Sequence, residues 1–182
     1  MRMIRKAMVD LLLRCLSKEP MKKIPKMIAL ARKLDRGNLH TVQIRAIEGA
    51  LLDETSNWHL LVEKLFAEVD SKLIRKLVEC FFVNANLEGT AKARAAERKY
   101  DCNIPWAILM DPTSACNLEC KGCWAAQYGH KHNLSYETLD SICRQGKELG
   151  TYFYIFSGGE PLVRKDDIIR LCDAHQDCYF FA

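Results

Sequence analysis

Apolar residues recur at helical spacing through the first hundred residues. Ile4, Met8, Leu11, Leu12, Cys15 and Leu16, with Arg5, Lys6, Asp10 and Arg14 between them, make one stripe over 3–18 that Glu19-Pro20 closes. A second stripe, Ile24, Met27, Ile28, Ala31 and Leu34, runs to the stop signal Asp35-Arg36-Gly37-Asn38. Pro25 suits only the first turn of that helix, where a missing amide costs nothing. The same spacing predicts helices over 39–52, 57–69 and 71–87, and a more polar one over 90–100. Ser56 or Asn57 and Asp70 or Ser71 are suited to cap two of them. No stretch before residue 101 alternates like a strand, so residues 1–100 read as an all-helical domain. His40 and His59 each stand alone in it and read as surface or packing residues.

The pattern changes after Tyr100. Trp106-Ala107-Ile108-Leu109-Met110 is a short, nearly continuous apolar run, which suits a strand buried on both faces of a parallel sheet. Ser135 is placed to cap a helix over 136–149 that Gly150 stops. A second apolar run, 152–156, then a helix over about 166–175 and a third run, 178–181, complete an alternation of strand and helix. Alternation at this spacing predicts βαβ units and a parallel sheet. The fold class expected is therefore α/β over 101–182, preceded by the helical domain.

Composition changes this picture little. With 182 residues, 49% hydrophobic and 27% charged, the chain has the balance of an ordinary globular protein. The longest stretch without charge, 149–159, is too short to span a bilayer, and Asp10 and Arg14 interrupt any signal-peptide core. Nine cysteines without paired spacing fit a reduced compartment, and the expected location is cytoplasmic. Charge is uneven: residues 1–36 carry 11 Lys/Arg against 3 Asp/Glu, although the whole chain is only +4. A solvated helix face explains this most simply; an acidic partner or a membrane surface is the sharper expectation, and nothing points directly to nucleic acid.

Chemistry concentrates in two places, each just after an expected strand. Cys116, Cys120 and Cys123 place three thiols within eight residues. Thiolates suit zinc or an iron–sulfur cluster. Three of them can hold three corners of a four-iron cluster and leave one iron open, whereas electron-transfer clusters close all four sites with cysteine. With His130 or His132 the same thiols would instead make a structural Cys3His zinc site, in a chain that serves as a non-catalytic metal-binding or interaction fragment. A thioredoxin-like role for Cys120 and Cys123 leaves Cys116 unused. The second place is Ser157-Gly158-Gly159-Glu160-Pro161. Glycines there let the backbone come close to a ligand, Glu160 adds a negative charge beside it, and Pro161 fixes the exit. The plain alternative is a tight turn with a surface glutamate. Since parallel-sheet enzymes build their sites at the carboxyl ends of strands, and these strands are consecutive, the two stretches are expected to be neighbours.

Together, Cys116-x3-Cys120-x2-Cys123 and Gly158-Gly159-Glu160-Pro161 resemble the radical SAM superfamily, over about residues 104–182. The resemblance implies a partial (β/α) barrel in which Cys116, Cys120 and Cys123 hold a [4Fe–4S] cluster. It further implies that Gly158, Gly159 and Glu160 bind S-adenosylmethionine, whose reductive cleavage yields a 5′-deoxyadenosyl radical that abstracts hydrogen from a substrate. An external electron donor such as flavodoxin or ferredoxin is implied, and the substrate, peptide or small molecule, is unassigned, as are catalytic residues. Where many members have an aromatic residue before the third cysteine, this chain has Gly122, and the nearest aromatic is Trp124. The family barrel has about six strands and this chain offers three, so residues 101–182 are expected to be the N-terminal part of a longer barrel. Cys15, Cys80, Cys102, Cys143, Cys172 and Cys178 are read as small buried hydrophobes.

Overall fold

The structure is a computed structural model and describes residues 20–182 except 36, 39, 124, 126–128 and 130. The helix expected over 3–18, with Cys15, lies outside the described residues, as do Trp124 and His130. The described chain is mixed α/β and divides into two compact units, one ending at Val78 and the other spanning Glu79–Ala182.

The first unit is helical: α1 (Pro20–Leu34), α2 (Thr41–Leu51), α3 (Asn57–Glu68) and α4 (Ser71–Leu77). Its core is small. Ile24 and Ile28 are buried and gather Met21, Met27, Ile44, Leu51, Val62 and Phe66 around them. The expected caps form, with the Ser56 hydroxyl accepting from the Trp58 amide and the Asp70 carboxylate from the Lys72 amide. Pro25 departs from expectation, because it lies inside α1 rather than in a first turn. One helical hydrogen bond is missing there, since proline has no amide to donate.

The second unit begins with a further departure. A single α-helix was expected over 71–87, but Val78–Gly89 winds as a π-helix before α5 (Thr90–Tyr100) resumes α geometry. Long-range contacts hold this segment. The buried Asn84 side chain donates to the Asp177 carbonyl at 2.6 Å, and the Cys80 thiol to that of Gln176 at 3.4 Å. The two helical segments after Val78 thus belong to the unit that contains the sheet, although their sequence pattern continues that of the helices before them.

Strands β1 (Ala107–Met110), β2 (Phe153–Phe156) and β3 (Tyr179–Phe181) form an open parallel sheet in sequence order. Leu109, Ile155 and Phe181 share one register row, and Ala107, Phe153 and Tyr179 another. Helices α6 (Tyr136–Leu149) and α7 (Lys165–Ala174) pack on the opposite face. There Met110, Tyr154 and Phe156 meet Leu139, Cys143, Ile168 and Leu171, all buried. Ser135 caps α6 through the Thr138 amide and Gly150 ends it in the left-handed conformation, as expected. Leu139 is fully buried at the centre of this layer. Leu139→Ala is expected to lower stability by about 2–5 kcal/mol, measured as a fall in the denaturant midpoint.

The expectation of strands buried on both faces holds only in part. At the amino-terminal end of the sheet, Phe81 of the π-helix packs edge-on against Trp106, Phe153 and Tyr179, with ring centroids 5.7–5.8 Å apart. Nearer the carboxyl ends, Leu109 and Phe181 are 60% and 58% exposed, because no described element covers that row. Three strands form an open sheet, and barrel closure is not part of the described fold.

Candidate functional site

Both motifs sit at the carboxyl ends of neighbouring strands, and the backbone joins them directly. Pairing between β1 and β2 continues beyond the strands proper. The Ser157 amide donates to the Met110 carbonyl at 2.9 Å, Gly159 to Thr113 at 3.0 Å, and Glu160 to Ala115 at 2.9 Å. The consecutive amides of Gly159 and Glu160 therefore bond alternate carbonyls, Thr113 and Ala115, of the segment that leads into Cys116. Parallel strands advance together, so a residue near the end of one strand has a partner near the end of the next.

The glycines are required by this contact. Gly158 has φ +105°, and a Cβ there would lie 2.7 Å from the Thr113 carbonyl oxygen. A Cβ on Gly159 would lie 2.2 Å from the Ala115 carbonyl oxygen and 2.7 Å from that of Ser114. The close approach that glycine permits is to the cysteine segment itself, a role the sequence alone did not reveal. Glu160 begins the short 3-10 turn Pro161–Arg164 and caps it, its Oε1 accepting from the Leu162 amide at 2.9 Å. Pro161 occupies the first position of that turn, where its missing amide is harmless.

The connection 111–135 carries the thiols. Its two ends pair as an antiparallel neck: Thr113 bridges Asn133, the Ser114 amide donates to the His132 carbonyl at 2.8 Å, and the Leu134 amide to that of Pro112 at 3.1 Å. Thr113 is buried, and its hydroxyl accepts from the Ala115 amide at 2.9 Å, fixing the turn into Cys116. Beyond it, Cys116 and Cys123 are half-buried and Cys120 is exposed. The Cys116 sulfur accepts from the Leu118 amide at 3.4 Å, and the Cys123 amide reaches the Cys120 carbonyl at 3.3 Å.

In donor chemistry these residues fit the group that the resemblance implies. Three accessible soft ligands lie on one short loop, bonded at its root to a glycine turn. Their side chains are not drawn together, since no three Cys, His, Asp or Glu side chains form a metal-holding group among the described residues. Metal binding and local folding are coupled, and an exposed loop has no force of its own that would gather three thiols. His132, one zinc candidate, is exposed on the neck.

The remaining cysteines are separate from this site. Cys80, Cys143 and Cys178 are buried. Burial pushes the Cys143 thiol up to about 12 and the Cys178 thiol upward as well, so both stay protonated at neutral pH. Cys172 is half-buried, and Cys102, contrary to expectation, is exposed.

The comparisons with known proteins reach only part of the chain. A stretch of 76 residues, 40% of this chain, is 36% identical to an uncharacterized protein of Archaeoglobus fulgidus and spans 18% of that protein. A stretch of 62 residues, 32% of this chain, is 39% identical to a GTP 3′,8-cyclase of Geobacter sulfurreducens and spans 19% of it. The chain thus matches less than a fifth of the length of either relative. No family profile matches it, and no solved structure does. Among the described residues no helix is long and apolar enough to cross a membrane.

Proposed function

We propose that this chain carries the cluster-binding and cofactor-binding part of a radical SAM enzyme. Cys116, Cys120 and Cys123 would hold a [4Fe–4S] cluster, and Gly158, Gly159 and Glu160 would receive the methionyl end of S-adenosylmethionine. The observation that carries this reading is the pair of backbone bonds from Gly159 and Glu160 to Thr113 and Ala115, which set the two motifs side by side. Partial similarity to a GTP 3′,8-cyclase, itself a radical SAM enzyme, supports it. When bound, the two groups supply one-electron cleavage of the sulfonium and with it a radical able to take hydrogen from a substrate. The chain's own residues supply position and charge. Soft thiolates on the loop bind iron, and the Glu160 carboxylate places negative charge where an ammonium group would lie. The row Leu109, Ile155 and Phe181 gives the sheet an apolar surface just before the turn.

Anaerobic reconstitution with iron and sulfide tests the proposal. About four irons per chain, broad visible absorption, and reductant-dependent release of 5′-deoxyadenosine are the expected results. A colourless protein that takes up zinc instead would move the assignment to a structural Cys3His site. Glu160→Gln gives a narrower test. The amide oxygen can still cap the Leu162 amide, so the turn should survive while the charge is lost. Cofactor affinity is expected to fall about ten- to hundredfold with iron content unchanged, measured by titration of the reduced protein.

A further inference from the structure

Arg164 ends the 3-10 turn that Glu160 begins, and its guanidinium reaches three separate segments. Nη1 donates to the Pro112 carbonyl at 2.9 Å and also to the Leu134 carbonyl. Nε and Nη2 donate to Oδ2 of Asp167, in the first turn of α7, at 3.0 and 2.5 Å. Pro112 and Leu134 are the two ends of the neck that closes the cysteine connection. One side chain therefore clasps both, while a carboxylate holds the clasp from behind. The arrangement is compact, since the Arg164 side chain is 19% exposed and that of Asp167 31%.

We propose that Arg164 is a positioning residue that fastens the neck of the cysteine loop. The proposal rests on the reading of Cys116, Cys120 and Cys123 as cluster ligands. Guanidinium geometry is the physical reason. Its donors lie in a rigid planar fork, so one edge can face a carboxylate while another nitrogen faces carbonyls, which a lysine ammonium cannot reproduce. Apart from Arg164, the two strands of the neck are joined by three hydrogen bonds around one bridge: Ser114 amide to His132 carbonyl, Leu134 amide to Pro112 carbonyl, and His132 amide to the Ser114 hydroxyl. His132 and Asn133 are exposed, so water competes for these bonds. Opening the neck lengthens the free loop on which the thiols lie, and a longer free loop makes their convergence on one metal entropically more costly. The two motifs are thus joined twice, by the Gly159 and Glu160 amides on one strand of the neck and by Arg164 across both.

The test uses the whole chain with Arg164→Ala, read by hydrogen exchange in the iron-free protein and by iron retained after anaerobic reconstitution. The Ser114 and Leu134 amides, which close the neck, are expected to exchange about ten- to hundredfold faster, while β2 amides keep their protection. Iron retention is expected to fall by a similar factor. Added ethylguanidinium should restore both and ethylammonium neither, a rescue that general destabilisation would not show. If Arg164→Ala does not fold, Arg164→Lys, which keeps the charge without the fork, is read in the same way. Unchanged neck exchange, or an opened neck with full iron retention, would overturn the proposal. A wild-type chain that takes up no iron would sink the cluster reading instead, and neck exchange would then decide the clasp by itself.

Discussion

Replacing Cys116, Cys120 or Cys123 singly by alanine is expected to abolish the visible absorption of the reconstituted protein and to remove nearly all its bound iron. Three of the other described thiols are poorly placed to substitute. Cys143 and Cys178 are buried behind the sheet and held protonated by that burial, and Cys80 is engaged with the Gln176 carbonyl. Losing one of three ligands leaves an iron corner open to solvent on an already exposed loop, so the loss should be close to complete rather than graded. Cys143→Ala is the matched control. It should keep the iron and cost only packing, since Cys143 behaves as a small apolar residue between α6 and the sheet. Iron and sulfide assays with an absorption spectrum decide the matter, and full iron content in Cys116→Ala would show that the thiols are not ligands.

Gly159→Ala is expected to damage both motifs together. The new Cβ would stand 2.2 Å from the Ala115 carbonyl oxygen and 2.7 Å from its carbonyl carbon, and the three nearest atoms are all backbone. No side-chain rotation can relieve that contact, so the turn and the cysteine segment must part. Parting them breaks the Gly159 to Thr113 and Glu160 to Ala115 bonds, each worth about 0.5–1.5 kcal/mol, and also displaces the root of the loop. Iron content and S-adenosylmethionine affinity should therefore fall together, by about tenfold or more. This differs from Glu160→Gln, where only cofactor affinity should change. Loss of cofactor affinity in Gly159→Ala with iron content intact would mean that the glycine serves the ligand alone.

Much of this protein was legible in its amino-acid order. The stripe of Ile24, Met27 and Ile28 fixes a helix because apolar burial at a 3.6-residue period allows little else. Ser56, Asp70, Ser135 and Gly150 mark helix ends because capping is a local matter of one side chain or one dihedral angle. The runs that became β1, β2 and β3 are apolar and separated by helices, which is enough to imply parallel order. The thiol spacing and the Gly-Gly-Glu turn also stand out, since their chemistry is carried by residue type.

Tertiary structure decided the rest, because the forces involved act between residues far apart in the chain. The π-helical winding of Val78–Gly89 goes with the Asn84 bond to Asp177, and no local propensity announces a partner 93 residues away. The helices after Val78 belong with the sheet because Phe81 packs on Trp106, Phe153 and Tyr179, not because their own pattern differs from that of their predecessors. Gly158 and Gly159 are suited to a ligand in the sequence, yet in space they admit the backbone of residues 113–115. Arg164 gave no signal at all: a single arginine after Pro-Leu-Val reads as surface, and only folding brings the carbonyls of Pro112 and Leu134 within its reach. A carbonyl is the same in every residue, so which carbonyls an arginine will meet is written in the fold and not in residue type.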